Sequence, residues 1–154
     1  MRQYFIFFLF KLIHSKIIYV KDFGTINNEN SINASIQNGN SFYNAIKYAS
    51  YGDTVIISEN ETLYYVPSTE YIENINDISI ILDGIIILNN DTTVWKKTSS
   101  NAYFNAIDIR NSSNFTITGK GTIYGQGYTW WKEFLARKIV RERPTIININ
   151  SSKN

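Results

Sequence analysis

The stretch Asn114–Trp131, NFTITGKGTIYGQGYTWW, most constrains what this chain can fold into. Phe115 and Ile117 alternate with Thr116 and Thr118, the period of a half-buried strand. Gly119 and Gly121 then bracket Lys120, so the chain bends before it resumes as a second strand over Thr122–Tyr124. Gly125 and Gly127 close that strand. Strands this short, separated by bends instead of helices, suit a chain that winds around itself in stacked coils. The expected fold class is all-β, a single-stranded parallel solenoid.

The rest of the chain repeats the theme. Short apolar strands are expected over 17–20, 54–58, 63–66, 78–82, 85–88, 106–109, 114–118, 122–124 and 145–149, joined by polar corners rich in asparagine, serine or glycine. Asn27–Asn40 reads as a polar surface loop. Phe42, Ala45, Ile46 and Ala49 share one face of a helix over 41–50, which Asn40 or Ser41 can cap. A second helix is expected near 130–142, ended by Pro144. A doubly wound sheet needs a helix between successive parallel strands, and most gaps here are too short and polar for one. An antiparallel sandwich fits the same spacing. Asp83-Gly84 splits one apolar run into two strands, as a coil corner would, although Asp-Gly also suits a hairpin.

A coil stack exposes unpaired strand edges at its ends. The helix with Phe42 and Ile46 comes before the first regular strands, where it would cover the N-terminal end. The chain ends at Asn150-Ser151-Ser152-Lys153-Asn154, a polar corner like Asn111-Ser112-Ser113-Asn114, which precedes a strand. The solenoid is therefore expected to be incomplete.

Composition removes several chemistries. The 154 residues contain no cysteine, and His14 is the sole histidine. Disulfides, thiolate zinc sites, cysteine nucleophiles and serine–histidine triads are excluded. Calcium sites need clustered acids, and none is visible, so no metal or other cofactor is expected. A net charge of +2 without a dominant basic block argues against nucleic-acid binding. Gly119–Gly127 lacks the Lys-Ser/Thr and βαβ context of a phosphate loop.

The N-terminus, MRQYFIFFLFKLIHS, has the form of a secretory signal over residues 1–15: Arg2 supplies the positive start and Tyr4–Phe10 an unbroken apolar core. Lys11 leaves that run too short to span a membrane. The alternative is a buried first strand. Residues 16–154 would then form one secreted domain, with no membrane partner after signal removal. Asparagine-x-Ser/Thr acceptors for glycosylation stand at Asn33, Asn60, Asn90, Asn111, Asn114 and Asn150.

Several motifs together resemble the N-terminal region of the polygalacturonases, family 28 of the glycoside hydrolases. They are Tyr19-Val20-Lys21-Asp22-Phe23-Gly24, Gly52-Asp53-Thr54-Val55-Ile56-Ile57, the paired strands within Asp77–Leu88, the segment Gly119–Trp131, and Arg143-Pro144. Gly119–Trp131, similar to G-x-G-x-I-D-G-Q-G-x-x-W-W, is the most specific. Tyr124 stands where the family usually has aspartate, and Thr25 where it has alanine. The resemblance implies a pectin-lyase-like right-handed β-helix and inverting hydrolysis of α-1,4-galacturonosyl bonds in pectin. It also implies chemistry downstream, in an N-x-D, an adjacent aspartate pair, a G-H-G and an R-x-K. No two aspartates are adjacent, no histidine follows His14, and Arg137-Lys138 does not match R-x-K. No catalytic residue is therefore carried over, and the segment alone is expected to be inactive.

The implied partner is an acidic polysaccharide. Inversion needs two carboxyl groups roughly 6.5–9.5 Å apart, and Asp83 and Asp108 are the only pair flanked by good strands, although a turn or surface corner competes at each position. Trp130 and Trp131 are candidates for stacking on sugar, although a packing role competes: Trp131, Phe134, Leu135 and Ile139 share a helical face. Arg137, Lys138, Arg141 and Arg143 form a basic cluster offset by Glu133 and Glu142, suited to a polyanion or to a solvated helix face. Two rival functions remain open: a non-catalytic secreted β-helix that binds acidic polysaccharide, and another β-helix enzyme such as a lyase or epimerase.

Overall fold

The computed structural model describes residues 15–139 and 143–150. Residues 1–14 of the expected leader, Val140, Arg141, Glu142 and the closing residues 151–154 lie outside the described residues.

Among the described residues, ten short strands form three sheets, and from β2 onward each sheet takes every third strand. The first sheet runs β1 (Ile17–Tyr19), β2 (Thr54–Ile57), β5 (Ser79–Leu82), β8 (Thr116–Thr118). The second holds β3 (Thr62–Tyr65), β6 (Ile85–Leu88) and β9 (Thr122–Tyr124). The third holds β4 (Ile72–Glu73), β7 (Ile107–Arg110) and β10 (Ile147–Asn150). Every pair of these strands is parallel. Each turn of chain thus lays one rung on each sheet, the arrangement of a parallel β-helix. It rules out the sandwich. It also rules out a hairpin at Asp83-Gly84, because β5 and β6 sit in different sheets.

Parallel register stacks like on like. Val55, Ile80 and Ile117 form one inward column, Leu63, Ile86 and Ile123 a second, and Ile72, Ile109 and Ile149 a third. Alternation within each strand sends these side chains to the core and their neighbours outward. Burial falls along the stack: Ile109 is 0% exposed, whereas its register partner Ile149 is 54% exposed.

Corners also stack. Gly121 comes so close to the preceding coil that a Cβ there would meet the Gly84 carbonyl oxygen at 2.1 Å. Asn74, Asp77, Asn111 and Asn114 hold a left-handed backbone, which asparagine and aspartate tolerate better than other side-chain-bearing residues.

The helix α1 (Ile32–Tyr48) starts nine residues before the expected Ser41. The expected polar loop is therefore corrected in its second half, and the cap is Ser31, whose side chain accepts from the Ala34 N–H. The buried face of this first half is polar yet satisfied. Asn38 accepts from the Ile26 N–H and donates to the Ile26 and Tyr64 carbonyls. Ser35 accepts from Asn89, and Ser41 donates to the Phe23 carbonyl. Phe42, Ala45 and Ile46 join the apolar core as expected from their spacing.

The second helix, α2 (Gly127–Leu135), is shorter than the expected 130–142 and starts earlier. Arg137, in a left-handed backbone at φ 57°, follows its end. Its packing face also differs from the expected one. Trp130 is buried, while Trp131, Phe134 and Leu135 are exposed; of the expected group only Ile139 is buried.

Candidate functional site

The outer face of the third sheet gathers the most organised polar cluster. Asp108 sits on β7 with Asn148 of β10 in register beside it, and Arg110 lies between Glu73 of β4 and Asn150 of β10. Residues two apart on a strand share a face, so Asp108 and Arg110 meet. Arg110 Nε donates to Asp108 Oδ1 at 2.9 Å and Nη2 to Oδ2 at 3.1 Å. Asn105 Nδ2 reaches Oδ2 at 2.7 Å, and Asn148 Nδ2 reaches Oδ1 at 3.0 Å. The Arg110 guanidinium also lies 3.4 Å from the centre of the Tyr71 ring.

Asp108 is 6% exposed. Burial works against its charge, but the hydrogen bonds from Arg110, Asn105 and Asn148, with the Arg110 charge, outweigh it and hold the pKa below the ordinary aspartate value. The carboxylate is ionised at neutral pH and has all four contacts to neighbouring donors. It is unsuited to donating a proton as a general acid, and it fixes Arg110 in place.

Asp83 is elsewhere. It stands at the corner between β5 and β6, where Oδ1 accepts from the Lys120 N–H at 2.9 Å. The structure does not bring Asp83 and Asp108 together on one sheet. A literal N-x-D triplet does occur at Asn89-Asn90-Asp91, after β6. Asp91 Oδ1 accepts from the Thr93 hydroxyl and N–H, which lowers its pKa. Asn89 accepts from the Asp91 N–H, so the triplet forms a local turn.

Two depressions flank this framework. A groove of about 700 Å³ runs between α1 and β4, lined by Tyr43, Lys47, Tyr51, Glu70 and Tyr71 among others. Tyr43 Oη donates to Glu70 Oε2 at 2.6 Å and accepts from Lys47 Nζ at 3.1 Å. That hydroxyl bond, with the Lys47 charge, lowers the Glu70 pKa. A smaller pocket of about 280 Å³ lies at α2, lined by Gln126, Trp130, Trp131, Arg143, Pro144 and Ile146 among others.

The two sequence-predicted tryptophans divide at this pocket. Trp130 is buried edge-on against Trp95 and Tyr103, with ring centres 5.4 and 5.0 Å away. Trp131 is 51% exposed, and the Arg143 guanidinium lies 3.6 Å from its ring centre. The acceptor asparagines Asn33, Asn60, Asn90, Asn111, Asn114 and Asn150 are all exposed. Asn114 Nδ2 is engaged with Asp77. Among the described residues, no group of three His, Cys, Asp or Glu is placed to hold a metal ion, and no helix is long and apolar enough to cross a membrane.

Sequence reasoning missed Asn105, Arg110, Asn148 and the pairing of Arg143 with Trp131. The Asp-x-Arg spacing on β7 was a usable signal for Arg110. Asn105 lies three residues before Asp108 in the corner leading to β7, Asn148 comes from a coil 40 residues later, and Arg143 from a segment beyond α2; none carries a local sign.

A model of the glycosyl hydrolases family 28 matches residues 59–154. Over 103 residues the chain is 28% identical to a probable endo-xylogalacturonan hydrolase A of Aspergillus niger, covering 67% of this chain and 24% of that one. Over 106 residues it is 28% identical to a polygalacturonase of Persea americana, covering 67% of this chain and 22% of that one. Exopolygalacturonase B of Aspergillus niger is 26% identical over 103 residues, covering 62% and 22%. The chain thus spans less than a quarter of the length of these curated relatives. No solved structure matches the chain significantly.

Proposed function

Because the chain belongs to family 28 of the glycosyl hydrolases, we propose that it forms N-terminal coils of a secreted polygalacturonase-type hydrolase acting on pectin-like acidic polysaccharide. The observation that carries this reading is the family match over 59–154, which spans most of the rungs of the parallel stack. Relatives named as polygalacturonases support it. In this reading the coil is right-handed, α1 covers its N-terminal end, residues 1–15 are a signal peptide, and exposed acceptor asparagines carry glycans.

The same reading makes these coils a scaffold and not the reaction centre. Inverting hydrolysis needs a protonated carboxyl and a second one that activates water. Asp108 is ionised and saturated with donors, and Asp83 serves a corner on another part of the coil. Purified residues 1–154 are expected to release no reducing sugar from polygalacturonate above the buffer control. Release at a rate ordinary for a glycosidase, about 1–10³ s⁻¹, overturns the scaffold role. Growth of ultraviolet absorbance from an unsaturated product points to a lyase instead. The saturation of Asp108 by neighbouring donors also fits a second reading, a module that binds acidic polysaccharide without cleaving it. Salt-sensitive retention on pectin without turnover is its signature.

A further inference from the structure

The pocket at α2 holds a cation with no carboxylate partner among the described residues. The ion pairs among the described residues, Lys47–Glu70 and Arg110–Asp108, lie elsewhere, and neither involves Arg143. Arg143 is instead held by rings: its guanidinium lies 3.6 Å from the centre of Trp131 and 5.0 Å from that of Phe134. Glu133, the one acid of α2, accepts from the buried Thr92 hydroxyl. Among the described residues, Lys132, Arg137 and Lys138 stand exposed around the same helix against Glu133 alone, so these side chains make the local field positive.

We propose that this pocket binds one uronic-acid residue of an acidic glycan, with its carboxylate on Arg143 and the C–H face of its ring against Trp131. This deepens the pectin-directed reading and rests on it. A guanidinium presents two parallel N–H donors that match a carboxylate, and stacking on an indole fixes that fork before the ligand arrives. Trp131 is 51% exposed, so the indole keeps apolar surface for a pyranose. A volume of about 280 Å³ suits one sugar ring and not a chain.

The test is titration of the full 154-residue chain with trigalacturonate and with its methyl ester, followed by calorimetry and tryptophan fluorescence. The chain is expected to prefer the acid over the ester. Arg143→Ala should weaken acid binding about tenfold or more and erase that preference. Arg143→Lys should recover only part of it, because an ammonium has no fork. Trp131→Ala should abolish the fluorescence change and weaken acid and ester alike. Both side chains lie outside the buried core, and unchanged circular dichroism and melting temperature verify folding of each variant. Wild-type affinity in Arg143→Ala and Trp131→Ala overturns this site while leaving the pectin-directed reading standing. Failure of the wild-type chain to bind any galacturonide overturns the site, and the reading then rests on the hydrolysis assay. Equal affinity of the wild-type chain for acid and ester overturns the assignment to Arg143.

Discussion

Asn114 donates a 2.7 Å hydrogen bond from Nδ2 to Oδ1 of Asp77, the residue 37 positions earlier that holds the same corner one coil back. Both residues have a left-handed backbone, at φ 50° and 56°. Two effects are therefore separable at one position. Asn114→Ala loses the hydrogen bond, about 0.5–1.5 kcal/mol, and adds the left-handed cost of a Cβ without a local polar partner, about 1–2 kcal/mol. Asn114→Gly loses only the first. Urea unfolding should rank wild type above Asn114→Gly above Asn114→Ala. Equal loss in the two variants removes the backbone from the explanation.

Glycine at the first–second sheet corner is required by the coil beneath it. A Cβ at Gly121 would meet the Gly84 carbonyl oxygen at 2.1 Å and the Leu82 carbonyl oxygen at 2.6 Å. Both are backbone atoms at the ends of paired strands and cannot swing aside. Gly121→Ala is expected to cost roughly 1–3 kcal/mol, the range of core overpacking. At a few degrees per kcal/mol, thermal unfolding should move down by about 2–12 °C. Gly127 meets nothing within 4 Å, so Gly127→Ala is the control, with a shift inside about 0.5 kcal/mol. An unchanged melting point in Gly121→Ala contradicts the close approach of these corners.

Period-two alternation and glycine corners made the rungs legible: β6 and β9 fall where their patterns place them, at Ile85–Leu88 and Thr122–Tyr124. Strand β4 was not legible, because Ile72-Glu73 is too short to show a period. The first half of α1 was hidden for a different reason. Its inward residues are Ala34, Ser35, Asn38, Gly39 and Ser41, which read as solvent-facing until their partners on other coils are known. At the candidate site, Asp108 stood out on its strand, but its lowered pKa depends on Arg110, Asn105 and Asn148, and Asn148 arrives from the next coil.

Helical spacing put Trp131 on the expected packing face and left sugar stacking open for both tryptophans, which now give opposite expectations. Trp130 is 3% exposed and meets Trp95 and Tyr103 edge-on. Trp130→Ala opens a cavity there and should cost about 3–5 kcal/mol. Trp131→Ala removes a half-exposed ring and should stay within about 1 kcal/mol. Chemical unfolding of both variants checks this. A larger loss in Trp131→Ala than in Trp130→Ala would mean that the helix packs through its other face.

The last expectation concerns acid. Asp108→Asn keeps the shape of the side chain but removes the charge that Arg110, Asn105 and Asn148 are arranged around. Hydrogen bonds to a charged group contribute roughly 1.5–3 kcal/mol, so the variant should be less stable by about that much at neutral pH. The sign of the pH effect follows from the lowered pKa in the folded state. A carboxylate whose folded pKa is depressed contributes its full stabilisation above its unfolded value, about 3.9, and loses it as pH falls through the folded value. The gap between wild type and Asp108→Asn should therefore be constant from about pH 6 to 8. It should narrow below about pH 4, as the wild-type carboxyl takes up a proton and becomes neutral like the amide. Stability curves from urea unfolding at several pH values measure this directly. A gap that keeps its full size down to pH 2.5 shows that the contribution of Asp108 is packing and not charge.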